Sequence, residues 1–350
     1  MDRQPKIIFW ETTRKCNLSC AYCRMSGSSS AAELTAEESI GLVDDIAREF
    51  GKALLIFSGG EPLLRNDIFD IIGRASGIGL PVALATNGTL LGENEARSLK
   101  KLGSKRVSLS IDSVDENMHD SSRGVKGAFG KTVAAAVILR KLEVPFQINF
   151  TVTGTNVDEI RSVADFAVSL GAVAVHYFVL VPVGCGRELR NDEILDPIGT
   201  ERALEAIRAV SRQLHIEVRP TCAPQYIRIA PDSKGGGCLA GTGALFISAE
   251  GDIYPCGYLP VKAGSVREGS IGSIWRGSEI FRRLRQNDLS GSCANCDLKD
   301  ACRGCRARAY SATGDMMSCD PSCAHKGVSR REKEQQYSSS EAKIMVFDSR

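Results

Sequence analysis

Cys16, Cys20 and Cys23 lie in the run Cys16-Asn-Leu-Ser-Cys20-Ala-Tyr22-Cys23, a CxxxCxxC spacing that puts three thiols on one short loop. Three thiolates so close together can hold one metal centre. A 4Fe–4S cluster fully ligated by protein takes four cysteines, so three leave one iron open to a small molecule. Zinc and disulfides are the competing uses. Zinc needs a fourth ligand, and the first histidine after the loop is His119. A disulfide framework belongs to secreted chains, and Met1 to Lys6 are polar, unlike a signal peptide. A second concentration of cysteines lies downstream: Cys238, Cys256, Cys293, Cys296, Cys302, Cys305, Cys319 and Cys323. Seven of the chain's 13 cysteines fall between Cys256 and Cys323, a clustering that points to metal ligation. The odd total would leave a disulfide set with one thiol over.

Two further runs carry groups that can bind. Gly59-Gly60-Glu61-Pro62 joins two glycines, which let backbone approach a ligand closely, to a carboxylate able to accept from an ammonium. An ordinary turn after a strand is the plain alternative. In Ser108-Leu-Ser110-Ile-Asp112, alternation puts Ser108, Ser110 and Asp112 on one side of a strand; such polar residues suit ribose hydroxyls, and a solvated strand end is the alternative. Together with the cysteine loop, these runs resemble the radical S-adenosylmethionine (SAM) enzymes, whose open iron chelates the amino and carboxylate groups of that cofactor. The resemblance implies that Cys16, Cys20 and Cys23 hold the cluster. It also implies that Gly59, Gly60, Glu61 and Pro62 receive the methionine amino group, and that Ser110 and Asp112 meet the ribose. Tyr22 then packs near adenine, Asn87 stands on the cofactor side, and Asn149 and Thr151 face ribose or adenine. Arg123 pairs with the methionine carboxylate, which a guanidinium matches bidentately. A turn at Asn87, loop packing at Tyr22 and a solvated arginine at position 123 are the structural alternatives.

The downstream cysteines resemble the SPASM extension of the same superfamily, which carries auxiliary 4Fe–4S clusters. Cys238 is followed by Gly251 and Cys256, then by Cys293-x2-Cys296-x5-Cys302-x2-Cys305, Cys319 and Cys323. The family usually has three residues between the last pair of the central group, and here there are two. By the family's interleaving, Cys238, Cys256 and Cys305 hold the first auxiliary cluster, and Cys293, Cys296, Cys302 and Cys323 the second. The first then lacks a fourth cysteine, which Cys222 or a substrate group would supply. Zinc-ribbon sites are the alternative. Cys185 is expected to be an unliganded loop thiol.

Thr221-Cys-Ala-Pro-Gln-Tyr226, Gly237-Cys-Leu-Ala-Gly-Thr242, Tyr254-Pro-Cys-Gly-Tyr-Leu-Pro260, the stretch from Cys305 to Asp315 and that from His176 to Gly184 resemble the tetrapyrrole-modifying members. Among these the haem synthases of the siroheme-dependent pathway are nearest. The resemblance implies oxidative decarboxylation of two propionates of iron-coproporphyrin III to vinyls, giving haem b. A deoxyadenosyl radical made from SAM takes a hydrogen from the propionate β-carbon, carbon dioxide leaves, and an auxiliary cluster accepts the surplus electron. The implied partners are a tetrapyrrole and a low-potential electron donor such as flavodoxin or ferredoxin. Propionates need cations: Arg187 and Arg190, and in the cysteine region Arg303, Arg306 and Arg308, are candidates. His176 is a candidate iron ligand or proton donor, although a lone histidine on an apolar strand is more often a satisfied core residue. Three other readings stay open: a haem d1 biosynthesis enzyme acting on didecarboxysiroheme, a SPASM peptide maturase, and a non-enzymatic iron–sulfur or zinc scaffold. Gly-Gly-Glu-Pro at a strand end argues against the scaffold.

These groups need a frame that collects strand ends. From residue 6 to about 220, strand-like and helix-like segments alternate. Strands are expected at 6–13, 53–60, 81–87, 106–112, 146–153 and 172–180, with helices at 35–50, 66–76, 93–102, 127–141, 156–170 and 200–214. Thr35-Ala-Glu-Glu38 is a capping box at the first helix. Six βα units with apolar strands imply a parallel sheet, two units short of a closed TIM barrel. The family resemblance implies an α/β partial (β/α)6 barrel with its site at the strand C-termini. The expected organisation is a barrel over 1–215, a cysteine-rich auxiliary domain over 216–324, and a mobile, charged tail over 325–350. The chain has 350 residues, 43% of them hydrophobic, and a net charge of +2, which gives no reason to expect a nucleic-acid partner. No apolar run reaches the roughly 18 residues of a membrane span, and a cytoplasmic location is expected.

Overall fold

The computed structural model describes residues 4–25, 31–232 and 237–325. Beyond His325, the expected tail lies outside the described residues. Strands and helices alternate as β1 (Ile7–Glu11), α1 (Ala36–Phe50), β2 (Leu54–Ser58), α2 (Ile68–Gly77), β3 (Val82–Thr86), α3 (Glu93–Lys101) and β4 (Val107–Ser110). They continue as α4 (Glu116–Arg123), α5 (Ala128–Lys141), β5 (Phe146–Val152), α6 (Ile160–Leu170), β6 (Ala174–Val179), α7 (Pro197–Gln213) and β7 (Glu217–Thr221). Three short strands follow: β8 (Ala244–Ile247), β9 (Asp252–Tyr254) and β10 (Gly264–Ser265).

All ten strands form one sheet in the order β10-β9-β8-β1-β2-β3-β4-β5-β6-β7. From β8 through β1 to β7 every pairing is parallel, and only the β8–β9 and β9–β10 pairings are antiparallel. The sheet is therefore wider than the six βα strands read from the sequence. β7 contains Pro220, which cannot donate to a ladder and is tolerated because β7 is the sheet edge. β8 has four residues among glycines, and it joins the parallel sheet by pairing along its length with β1, far away in sequence, while β9 flanks its other edge.

Alternation along each strand divides the sheet into two faces. Leu55, Phe57, Leu109, Phe150 and Tyr177 are fully buried against the helices, each such burial contributing about 1.5–3 kcal/mol. The residues between them, including Ser108, Ser110, Asn149, Thr151 and His176, occupy the opposite face and are half-buried. The capping box at Thr35 forms, with Glu38 N donating to Thr35 Oγ1 and Thr35 N to Glu38 Oε2. Helix α4 carries no apolar stripe. Asp115 caps its start by accepting from Met118 N at 2.9 Å, and Gly124 ends it in the left-handed conformation with φ 70°. Among the described residues no helix is long and apolar enough to cross a membrane.

Candidate active site and cysteine centres

The cysteine loop leaves the C-terminal end of β1 and is held there by its neighbours' backbones. Gly60 N donates to Thr13 O and Glu61 N to Lys15 O, both at 2.7 Å. A Cβ on Gly60 would stand 2.3 Å from Lys15 O, and one on Gly59 2.6 Å from Thr13 O. The close approach read from these glycines is thus to the cysteine loop itself. Glu61 is fully buried and accepts from Thr86 Oγ1 at 2.7 Å, Asn87 N at 2.8 Å and Leu63 N at 3.1 Å. Burial pushes its carboxyl above the usual range, and these hydrogen bonds oppose the shift. Pro62 follows as the first residue of a short 3-10 turn. Asn87 donates to Asn17 Oδ1 within the loop at 2.9 Å and accepts from Thr89 N at 2.8 Å, while Gly88 takes the left-handed position. Substituting Gly60 with alanine is expected to cost about 1–3 kcal/mol, the usual range for overpacking. It should also displace the loop and so lower iron uptake on reconstitution. A denaturation midpoint and iron content equal to wild type would refute this account of the glycine.

Asp112 is the centre of a second group. It ion-pairs with Arg123 at 2.7 Å, accepts from the Tyr22 hydroxyl and from Thr151 N, and donates its own N–H to His119 Nδ1. Burial lowers His119 to a pKa of about 4, so it stays neutral. Tyr22, 90 residues before Asp112 in sequence, is thereby brought together with Asp112 and Arg123 beside Cys20. Ser110, Asn149 and His176 pair in register across β4, β5 and β6, forming one polar row. Gln147 joins that row by donating to Asn149 Oδ1 at 2.7 Å. His176 requires a correction. Its Nδ1 faces Gln147 Nε2 at 3.0 Å and its Nε2 faces Glu217 Oε1 at 3.2 Å, so both ring nitrogens have protein partners and neither is available to iron.

All 13 cysteines are free thiols. Cys222, Cys256 and Cys305 pack into one cluster with Val181, Leu259 and Met316. Cys238 joins them closely enough that each thiolate would raise its neighbours' pKa. Burial, the largest cause, pushes Cys256 up to about 12 and Cys305 up to about 11. Cys222 adopts φ 58°, a left-handed conformation unusual for a residue with a side chain, and its carbonyl accepts from Arg308 Nη2 at 3.1 Å. Cys293, Cys296, Cys302 and Cys323 line one cavity, whereas Cys319 lies outside it against Gly291. Cys185 Sγ sits at 3.4 Å from Met25 O, at the far end of the first cysteine loop.

The arginines divide by what they touch. Arg306 is 2% exposed, and its Nη1 donates to Met316 O and Ser318 O and its Nε to Gly304 O, so it braces the cysteine region and cannot serve as a surface cation for a propionate. Arg308 is similarly buried and bonds Val179 O, Leu180 O, Cys222 O and Asp320. Arg303 donates to Leu284 O, and Arg190 pairs in solvent with Asp192 and Glu193. Arg306 and Arg308 are thus buried on protein groups, whereas Arg190 lies 71% exposed beside its two carboxylates. Arg187 stays exposed, on a turn whose Cys185 N donates to Cys23 O at 2.8 Å. Asp320 escaped the sequence reading. It accepts from Cys305 N at 2.7 Å while lining the cavity of Cys293 and Cys323, and so joins the two downstream thiol groups. Its place between Cys319 and Cys323 was the available signal.

The thiol spacing tests which metal group fits. A tetrahedral zinc with bonds of about 2.3 Å brings its sulfurs to within roughly 3.8 Å of one another. Among the described residues no three cysteine sulfurs lie within 4.8 Å of one another; the one group of three that does is Cys296, Asp297 and His325. The three thiol groups are more open than a zinc site and have the all-sulfur donor set of iron–sulfur clusters.

Comparison with known proteins agrees. Residues 10–167 match the family model of the radical SAM superfamily, and residues 238–297 match the SPASM model of an iron–sulfur cluster-binding domain. The chain is similar to the AdoMet-dependent heme synthase of Methanosarcina barkeri, with 44% identity over 93% of this chain and 98% of that protein. It is 37% identical to the AdoMet-dependent heme synthase of Nitratidesulfovibrio vulgaris, over 92% of each chain. Streptococcus suis SuiB bound to S-adenosylmethionine shares the fold with a TM-score of 0.75 and 18% identity, over 92% of this chain and 77% of that one.

Proposed function

The chain belongs to the radical SAM superfamily, within the group that includes the AdoMet-dependent heme synthases, and from that premise we propose that it removes two propionate carboxyls of iron-coproporphyrin III to give the vinyls of haem b. Likeness to those synthases along nearly the whole chain, barrel and cysteine region together, carries the reading. The protein is an enzyme whose cofactors are SAM and 4Fe–4S clusters. When bound, the SAM-binding cluster supplies the electron that cleaves SAM to a carbon radical able to take an unactivated hydrogen.

The protein's residues would serve that chemistry by holding and enclosing. Cys16, Cys20 and Cys23 hold the SAM-binding cluster. Gly59, Gly60 and Glu61 fix the loop that carries it, and Glu61 accepts from the methionine ammonium if its hydrogen bonds rearrange. Ser110, Asn149 and Thr151 line the cofactor side of the sheet. The first auxiliary cluster sits on Cys222, Cys238, Cys256 and Cys305, and the second on Cys293, Cys296, Cys302 and Cys323. Cys222 is thus the fourth ligand that Cys238, Cys256 and Cys305 lack. The auxiliary region over 216–324 follows the barrel of 1–215. Arg187 is assigned to a propionate, and the docking of its turn on Cys23 supports that assignment. A low-potential donor such as flavodoxin or ferredoxin supplies electrons, and the location is cytoplasmic.

The test is anaerobic reconstitution with iron-coproporphyrin III, SAM and reductant, read by mass spectrometry. Two successive losses are expected, each of one carbon dioxide and two hydrogens. Arg187→Ala should lower turnover more than it lowers SAM cleavage without substrate. SAM cleavage with the tetrapyrrole left intact would overturn the assignment. Turnover of didecarboxysiroheme instead would move it to the haem d1 branch, and modification of a peptide alone to the maturases.

A further inference from the structure

The last turn of α4 is built onto the cysteine loop. Ser19 N donates to Arg123 O and Ala21 N to Ser122 O, each at 3.1 Å. Gly124 closes the turn at φ 70°, where a Cβ would stand 2.3 Å from Ser19 Oγ. These backbone contacts carry the Arg123 side chain inward until it is 8% exposed. There Nη2 meets Asp112 Oδ2 at 2.7 Å, the guanidinium carbon lies 5.6 Å from the Tyr22 ring centre, and Nη1 donates to Cys20 Sγ at 3.7 Å. Asp112 is itself pinned by Thr151 N, His119 Nδ1 and the Tyr22 hydroxyl, so the fork of Arg123 has little freedom to turn away.

We propose that Arg123 is a positioning residue for the N-terminal cluster, whose Nη1–H bonds the Cys20 sulfur and makes that cluster easier to reduce. The proposal rests on the reading that Cys20 is a cluster ligand. Reduction adds negative charge to a cluster, and hydrogen bonds to its sulfurs are among the levers that set its potential. A donor held by a partner outside the ligand shell orients the ligand as well as tuning it. In a buried site, both the N–H dipole and the fixed cation act with little screening. Asp112 neutralises much of the cation's long-range field and keeps it from being an unpaired buried charge. What remains at Cys20 is the directed N–H, which only a fork able to reach Asp112 and the sulfur together can supply. The same guanidinium is the one that the family resemblance assigns to the methionine carboxylate, and the two roles separate by measurement.

The test compares the reconstituted full-length protein with Arg123→Met and Arg123→Lys. An anaerobic redox titration is followed by electron paramagnetic resonance, and the N-terminal cluster is identified by the change of its signal on adding SAM. In Arg123→Met the reduced-to-oxidised ratio, read at the wild-type midpoint, is expected to fall about tenfold, equivalent to about 59 mV for one electron. Arg123→Lys keeps the cation without the fork and should fall between the two. An unchanged potential in Arg123→Met with weaker SAM binding would overturn the proposal in favour of carboxylate binding. If Arg123→Met does not retain iron, Arg123→Lys decides: a wild-type potential there overturns the proposal, and a lowered one supports it. Absence of any SAM-responsive cluster in the wild type would refute the ligand assignment of Cys20 and leave no cluster for Arg123 to tune.

Discussion

Replacing Cys16, Cys20 and Cys23 together with alanine should abolish formation of 5′-deoxyadenosine under reducing conditions while leaving the fold intact. The loop is docked by backbone hydrogen bonds from Gly60 to Thr13 and from Glu61 to Lys15, none of which uses a thiol. The apolar core beneath the helices does not include these three residues either. Thermal unfolding should therefore change little, and iron content should fall by about four, the content of one 4Fe–4S cluster. Losing all three ligands removes the open iron, so the expected effect is complete loss and not a reduced rate. Undiminished 5′-deoxyadenosine formation by the triple variant would sink the assignment of this loop.

Anaerobically reconstituted wild-type protein should contain about twelve irons per chain, from three four-iron clusters. Replacing Cys256 and Cys305 together should remove about four of them, as should replacing Cys293 and Cys302. Cys222→Ala should leave the first auxiliary cluster with three protein ligands, seen as iron lost to a chelator faster than from wild type. In the metal-free protein burial raises Cys222, Cys256 and Cys305 well above the usual thiol range, so these groups lie protonated at neutral pH. Binding iron must release those protons, and retention should therefore weaken as pH falls. Stoichiometric zinc in anaerobically purified protein, with iron for only one cluster, would overturn this assignment. Iron retention by Cys222→Ala equal to wild type would remove Cys222 from the ligand set.

Much of this protein is determined locally. The βα period, the capping box at Thr35 and the spacing of Cys16, Cys20 and Cys23 depend on residues a few positions apart, and the structure keeps the six expected strands within two residues of their bounds, while α6 begins at Ile160 instead of 156 and α7 at Pro197 instead of 200. α4, capped by Asp115 at its start and Gly124 at its end, went unread in the sequence because it carries no apolar stripe. β8 enters the parallel sheet only by pairing with β1, more than two hundred residues earlier. Pro220 reads as a break, and its strand survives because the sheet ends there.

Composition and spacing alone placed three thiols on a strand-end loop, two glycines after the second strand and a concentration of cysteines downstream; the family resemblance linked them. They could not say what each polar side chain touches. An arginine in a sequence is a cation of unknown address. Only the packed chain turned Arg306 and Arg308 onto buried carbonyls, left Arg187 in solvent and brought Arg123 to both Asp112 and Cys20. Likewise, Gly60 signalled a close backbone approach, but its object, Lys15, was fixed by the strand order that sets β1 beside β2. The physical reason is common to all of them. Helix periods, caps and ligand spacings are short-range constraints written in neighbouring residues, whereas the partner of a buried charge or thiol is chosen by contacts between segments far apart in the chain, which exist only after the sheet has formed.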